Sequence, residues 1–170
     1  SLLAEVTLGK RCAGLDLRDA EDRRVFEGLL AQCDVFLHGY RADALEKLGF
    51  GAEERRALNP GMIDVSHNAY GWTGPWRNRR GYDSLVQSCT GLVREETGDR
   101  EFPRHLPAQV LDYVTGYLAA FGAMTALARR AEDGGSYHVR LSLCQTARWL
   151  KRLGRLSEDV NCVPDPSSRT

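Results

Sequence analysis

Apolar residues recur every three or four positions from Pro107 to Arg130, which is the period of one face of an α-helix. The recurring residues are Leu111, Val114, Tyr117, Leu118, Phe121, Met124 and Ala128. Pro107 suits a first helical turn, and the Gly134-Gly135 pair can end the run. The pattern predicts a long amphipathic helix whose apolar face packs into a core.

Short apolar runs alternate with helix-like segments in the first part of the chain. We predict strands over Cys12–Leu17, Asp34–His38 and Met62–Ser66, and helices over Asp19–Cys33, Ala42–Leu48 and Ala52–Leu58. This alternation is typical of an α/β fold, in which a parallel sheet is covered by helices. Ligands of such sheets lie beyond the carboxyl ends of the strands, here Gly39–Arg41 and His67–Gly74.

The segment His67–Gly81 is rich in glycine, proline, aromatic residues and arginine, which indicates a loop. It is either a solvated surface loop or one wall of a binding cleft. We predict further helices over 82–93 and 144–153, and a strand over 137–141. The polar residues 157–170 indicate a tail or linker, so we expect one domain over residues 1–156.

Composition narrows the class of protein. The chain has 170 residues, with 23 basic and 23 acidic side chains, so no global charge favours nucleic acid or membrane. We find no apolar run long enough to cross a bilayer and no signal peptide. Five scattered cysteines without a CxxC motif fit reduced thiols in a cytoplasmic protein. Neither the cysteines nor the four histidines have metal-ligand spacing, so we expect no metal.

Asp112 is the polar exception at the start of the long helix. It stands between Leu111 and Tyr113, where the helix dipole favours a negative charge. The residue pattern leaves two interpretations open. Asp112 is either a helix-start carboxylate without chemistry, or a nucleophile that the helix start holds ionised.

Four motifs in order resemble the family III coenzyme A transferases, the group of formyl-CoA and carnitine CoA-transferases that also includes the alpha-methylacyl-CoA racemases. They are GKRCAGLDL at 9–17, DVFLHGYRADALEKLGFG at 34–51, LNPGMIDVSHNAYGWTGPWRNRRGYD at 58–83 and LDYVTGYLAAFGAMTALARR at 111–130. One such motif is weak, but four collinear motifs are strong evidence. The resemblance implies the central part of the family's fold: a parallel Rossmann-like sheet with covering helices, and a long helix leading toward a second domain.

The resemblance also implies a function. Asp112 matches the family's nucleophilic aspartate. In the family this carboxylate attacks the thioester of an acyl-CoA, and the reaction continues through an acyl-enzyme anhydride and an enzyme-CoA thioester to a carboxylate acceptor. We therefore expect an acyl-CoA:carboxylate CoA-transferase that uses coenzyme A and a small carboxylate as substrates.

The resemblance implies coenzyme A contacts at five positions. Leu15 matches an adenine-side residue, and Tyr40 replaces a phenylalanine while keeping a flat face. Lys47 and Arg80 match basic positions near the phosphates, and Arg41 belongs to the same motif as Tyr40. The chain departs from the family at Gly39, where asparagine is usual.

Two residues near the acyl group discriminate within the family. Tyr82 stands where the racemases carry a histidine base, and a phenol is a poor base at neutral pH. Asp83 matches a position near the acyl group in some members. These residues favour CoA transfer, and racemisation is the lesser alternative.

Family members have about twice this length or more and form interlocked homodimers. The resemblance therefore implies, as partners, a second copy or further segments of the same protein. A different class of function also stays open, in which the chain is a non-catalytic or degenerate CoA-transferase-like domain that serves as a scaffold.

Overall fold

The computed structural model describes residues 6–155, so the predicted tail over 157–170 lies outside the described residues. The helices are α1 (Ala20–Gln32), α2 (Ala52–Leu58), α3 (Asp83–Cys89), α4 (Leu92–Thr97), α5 (Val110–Asp133) and α6 (Leu143–Arg152), with a 3-10 turn over Glu46–Leu48. The strands are β1 (Val35–His38), β2 (Ile63–Asn68) and β3 (Tyr137–Ser142).

The strands form one three-stranded sheet in the order β1-β2-β3. Strands β1 and β2 run parallel, with Val35 opposite Ile63 and His38 opposite Ser66. Ile63 and Val65 on one face of β2 are fully buried, and Asp64 and Ser66 on the other face are buried too, as expected for a strand covered on both faces. The predicted α/β class with a parallel, helix-covered sheet is confirmed.

Three local predictions are wrong. The stretch Ala42–Leu48 is not an α-helix but a turn that ends in the 3-10 segment Glu46–Leu48. Residues Cys12–Leu17 form no strand; their alternating apolar side chains line a cleft instead of joining a ladder. The helix predicted over 82–93 is broken into α3 and α4, because Gly91 takes a left-handed conformation with φ 83°.

The packing groups the chain into two compact units, which we describe separately. The first comprises the residues up to Ser66 together with Gly122–Val139, and the second comprises His67–Phe121 together with the chain from Arg140. The core of the first unit contains Leu30, Leu45, Phe50 and Met62. The core of the second unit contains Ala69, Val86, Leu92, Leu111, Leu143 and Ala147.

The long helix exists, but its buried face is not the predicted one. Its most buried residues are Leu111, Thr115, Ala119 and Ala126. Tyr117, Phe121 and Met124 of the predicted apolar face are 76%, 65% and 62% exposed. The period identified a helix correctly and Leu111 is buried as predicted, but further along the helix the most buried residues are small, and Tyr117, Phe121 and Met124 lie at the surface.

The length and apolar composition of α5 also correct an expectation. Contrary to the sequence analysis, this helix of 24 residues is long and apolar enough to cross a membrane. This criterion considers only length and composition, and core helices of soluble proteins meet it too.

A buried ion pair ties α2 to the central strand of the sheet in the first unit. Arg55 and Asp64 are only 4% and 7% exposed. The guanidinium donates to Asp64 Oδ2 through Nε, at 3.1 Å, and through Nη2. Its Nη1 donates to the backbone carbonyl of Phe50. The planar fork of arginine therefore satisfies a carboxylate and a carbonyl at once.

We expect Asp64→Ala to lower the free energy of unfolding by about 3–5 kcal/mol, because it leaves the Arg55 guanidinium buried without its counter-charge. The matched control is Asp16→Ala, because Asp16 pairs with Arg18 at side-chain exposures of 50% and 82%. Solvent screens that exposed pair, so its loss should be the smaller of the two. Urea denaturation measures both variants, and equal losses would contradict the assigned role of the buried pair.

Candidate active site

Asp83, the first residue of α3, organises the start of α5 within the second unit. Asp83 is buried, with 1% of its surface exposed. Its Oδ2 accepts hydrogen bonds from the backbone N–H groups of Leu111, at 2.8 Å, and Asp112, at 3.1 Å. A helix leaves such first-turn N–H groups without partners of its own, so this carboxylate acts as a helix cap supplied from another helix.

Gln87 supports the same segment one turn further along α3. It is 2% exposed, and its Nε2 donates to Asp83 Oδ1 and, at 3.3 Å, to the carbonyl of Ala108. Its Oε1 accepts the N–H of Leu106 at 3.0 Å. Asp83 and Gln87, four residues apart on one helix face, thus hold the backbone that leads into Asp112.

Asp112 is solvent accessible, yet its carboxyl group has an altered acidity. Partial desolvation raises the pKa of Asp112, and the nearby charge of Asp83 raises it further, whereas His67 lowers it. This direction is opposite to the expectation that the helix start would hold the group ionised. The main physical reason is partial desolvation of the carboxyl group; the Asp83 carboxylate, which already occupies the helix start, adds a smaller repulsion of a second negative charge.

His67 completes the group of charges around Asp112. It lies in β2, near the carboxyl end of the strand, and is half-buried. Burial lowers the pKa of His67, and the charge of Asp112 opposes that shift. The sequence analysis did not assign a role to His67. Its position at the carboxyl end of a buried parallel strand is the signal that could have found it.

The loop between β2 and α3 depends on a glycine. A Cβ atom at Gly81 would lie 2.5 Å from the Cβ of Ala69 and 3.0 Å from the ring of Tyr70. The Tyr70 ring packs edge-on against Trp76, with centroids 5.2 Å apart, and Arg79 lies 4.7 Å above the Trp76 ring. The close approach at Gly81 therefore sets where the chain enters α3 and positions Asp83.

Of the residues assigned from the resemblance, four belong to the second unit. Asp83 and Asp112 lie together at the start of α5. Arg80 is exposed, and Tyr82 is 65% exposed and immediately precedes α3.

The remaining assigned residues belong to the first unit, where a cleft of about 390 Å³ is lined by Leu15 and Tyr40. Its other walls are mostly aliphatic and aromatic, which suits a flat, largely apolar group. Lys47 and Arg41 are exposed and are not among the lining residues. The Lys47 ammonium pairs with the carboxylate of Asp43.

Comparisons with known proteins identify the family of this chain. The profile described as CoA-transferase family III matches residues 1–154, so the chain belongs to this family. It is 36% identical to the probable CoA-transferase Rv1866 of Mycobacterium tuberculosis, over 76% of this chain and 17% of that protein. It is 35% identical to the succinyl-CoA–D-citramalate CoA-transferase of Chloroflexus aurantiacus, over 79% of this chain and 33% of that protein.

Solved structures show the same fold. A CAIB/BAIF family protein from Brucella suis matches with a TM-score of 0.77 and 30% identity, over 84% of this chain and 38% of that chain. Rv3272 from Mycobacterium tuberculosis matches with a TM-score of 0.80 and 28% identity, over 85% of this chain and 41% of that chain. The chain thus spans a third or less of the two curated relatives and about two fifths of the two structures.

We expect Asp83→Asn to lower the pKa of Asp112, because it removes the neighbouring negative charge. It should also lower the free energy of unfolding by about 1–3 kcal/mol, because a neutral amide accepts the α5 N–H groups more weakly. Carbon-13 NMR titration of the Asp112 carboxyl and urea denaturation measure the two effects. Asp99→Asn changes an exposed carboxylate and is the control. An unchanged Asp112 titration in Asp83→Asn would contradict the electrostatic assignment.

We expect ionised Asp112 to destabilise the folded chain. Because folding raises the pKa of Asp112, the folded state holds the proton to higher pH than the unfolded state does. Stability should therefore fall as pH rises from the ordinary aspartate value through the raised value. Asp112→Asn should remove this dependence, so that its advantage in melting temperature is largest near neutral pH and shrinks in acid. A difference that does not vary with pH would contradict the prediction.

Proposed function

We propose that the protein transfers coenzyme A between an acyl-CoA and a small carboxylate, with Asp112 as the nucleophile. The observation that carries the proposal is the carboxylate itself. Asp112 matches the family's nucleophile and stands in the first turn of α5 beside buried Asp83 and half-buried His67. Membership in the CoA-transferase family III supports the reaction class.

The proposed reaction is a sequence of acyl transfers. An Asp112 oxygen attacks the thioester carbonyl, the C–S bond breaks, and coenzyme A leaves as a thiolate, which gives a mixed anhydride. The thiolate then attacks the aspartyl carbonyl of the anhydride, releases the donor carboxylate and forms an enzyme thioester. The acceptor carboxylate attacks the aspartyl carbonyl of that thioester, the C–S bond breaks, and the thiolate leaves a second mixed anhydride. The thiolate finally attacks the acceptor's carbonyl in this anhydride, which gives the acceptor's CoA thioester and frees the Asp112 carboxylate.

The charges around Asp112 favour such a nucleophile. Partial desolvation and the Asp83 charge raise the pKa of Asp112, which makes the ionised carboxylate more basic and a better nucleophile. Burial lowers the pKa of His67 from an ordinary value that is already below 7, so its imidazole is neutral at pH 7. We propose that the neutral ring shields one side of the carboxylate from water without neutralising it.

The substrates follow from the same proposal. The curated relatives include enzymes named for succinyl-CoA with D-citramalate and for formyl-CoA with oxalate. We propose that Leu15 and Tyr40 contact the adenine of coenzyme A, and that Lys47, Arg41 and Arg80 lie near its phosphates. A second copy of the chain, or further segments of the same protein, would complete the site in the cytoplasm.

A scaffold role is the second candidate. The pairing of Lys47 with Asp43 favours it, because the Asp43 carboxylate offsets a charge assigned to the phosphates of coenzyme A. Racemisation has less support, because Tyr82 offers no imidazole.

Trapping with hydroxylamine tests the transferase proposal. Incubation with succinyl-CoA or acetyl-CoA should produce an aspartyl hydroxamate on Asp112, detected by mass spectrometry of the digested chain. The adduct should be absent in Asp112→Ala and present in Asp99→Asn. Calorimetric titration of coenzyme A accompanies the assay. Binding of coenzyme A without any adduct would favour the scaffold role.

A further inference from the structure

Three aromatic rings form a row along β1 and the residues just after it. Phe36, His38 and Tyr40 alternate along the chain, so their side chains fall on one face of the strand and its extension. The Phe36 and His38 rings have centroids 5.3 Å apart at an interplanar angle of 33°. The His38 and Tyr40 rings have centroids 6.1 Å apart at 24°. All three residues line the cleft of the first unit.

The middle ring of this row lies beside the buried ion pair. The His38 side chain is 9% exposed, and its Nε2 lies 4.0 Å from Asp64 Oδ1. The other carboxylate oxygen of Asp64 is bound by Arg55. The carboxylate therefore cannot turn without breaking its arginine contacts, and it offers a fixed negative atom to the imidazole.

A second imidazole approaches the same carboxylate oxygen. His138 Nε2 lies 4.0 Å from Asp64 Oδ1 and forms a hydrogen bond of 2.8 Å with the Ser66 hydroxyl. Asp64 Oδ1 thus lies at the same distance from two imidazoles, and the polar side chains of Arg55, Asp64, His38 and His138 are grouped in the first unit.

Tyr40 is the outer member of the row and has little other support. It is 59% exposed and follows Gly39, which has no side chain to restrict the backbone. A ring so exposed samples several rotamers, and fixing it on ligand binding costs conformational entropy. The parallel ring of His38 is the neighbour that can reduce this cost.

We propose that His38, braced by Asp64, is a positioning residue that orients the Tyr40 ring for stacking on the adenine of coenzyme A. The cleft supports a flat ligand group, because aromatic and aliphatic side chains form most of its walls. Base–aromatic stacking depends on the orientation of the aromatic ring, and His38 supplies that orientation from inside the protein. This inference rests on the proposed binding of coenzyme A.

A double-mutant cycle tests the proposal in the full chain. The variants are His38→Leu, Tyr40→Leu and the double variant, and the probe is adenosine 3′,5′-bisphosphate, the nucleotide half of coenzyme A, titrated by calorimetry. His38→Leu should weaken binding roughly tenfold, the order of magnitude of one base-stacking contact. In the Tyr40→Leu background the same substitution should cause no further loss, because its effect passes through Tyr40.

Further variants and a second probe separate positioning from loss of folding. His38→Phe keeps a flat ring and should retain most of the nucleotide affinity. His38→Gln keeps polarity without a ring, and it should behave like His38→Leu if it melts at the wild-type temperature. Binding of 4′-phosphopantetheine, which lacks the base, should be unchanged in every variant that remains folded.

The outcomes distinguish this inference from the proposed function. Equal losses in the wild-type and Tyr40→Leu backgrounds, or weakened phosphopantetheine binding in folded variants, would overturn the positioning role. Failure of the wild-type chain to bind the bisphosphate would overturn it as well. A chain that shows the coupling between His38 and Tyr40 but forms no Asp112 adduct would keep this inference and lose the transferase proposal.

Discussion

The hydrogen bonds between the Asp83 carboxylate and the first N–H groups of α5 are the constraint on which the candidate site depends. A carboxylate that is 1% exposed is costly unless it is well bonded, and here the helix start and Gln87 supply the donors. The same bonds bring the backbone of Asp112 to a second negative charge. The Asp83 carboxylate that orders the start of α5 therefore also makes the Asp112 carboxyl harder to ionise, as expected where function and stability compete.

Local patterns predicted the positions of helices and strands better than the tertiary contacts that these elements make. Strands β1 and β2 and helix α2 lie where alternation, turn residues and the Asn59-Pro60 stop indicate. The run Cys12–Leu17 has the same alternation but lines a cleft. Alternation indicates that one side of an extended segment is apolar and the other polar, and it does not specify a neighbouring strand. Asp112 was found through the resemblance. The role of Gln87 depends on contacts across many residues, which no local pattern encodes.

The exposed face of α5 relates the chain to the longer proteins it resembles. Tyr117, Phe121 and Met124 expose more than half of their surface on one helix. Large apolar side chains grouped on one helix are a common feature of surfaces that other protein segments cover. The proposed second copy, or further segments of the protein, would supply such a cover. The wrong prediction for this face has the same cause, since the period identifies apolar residues but not what covers them.

The absence of a side chain at Gly81 has a consequence for acid strength. Any larger residue there would push against Ala69 and Tyr70 and displace the turn that delivers Asp83. A displaced Asp83 would weaken its hydrogen bonds to the α5 backbone. It would also repel the negative charge of the Asp112 carboxylate less strongly. The missing side chain at Gly81 thus contributes, from a different loop, to the raised pKa of a carboxyl group thirty-one positions away.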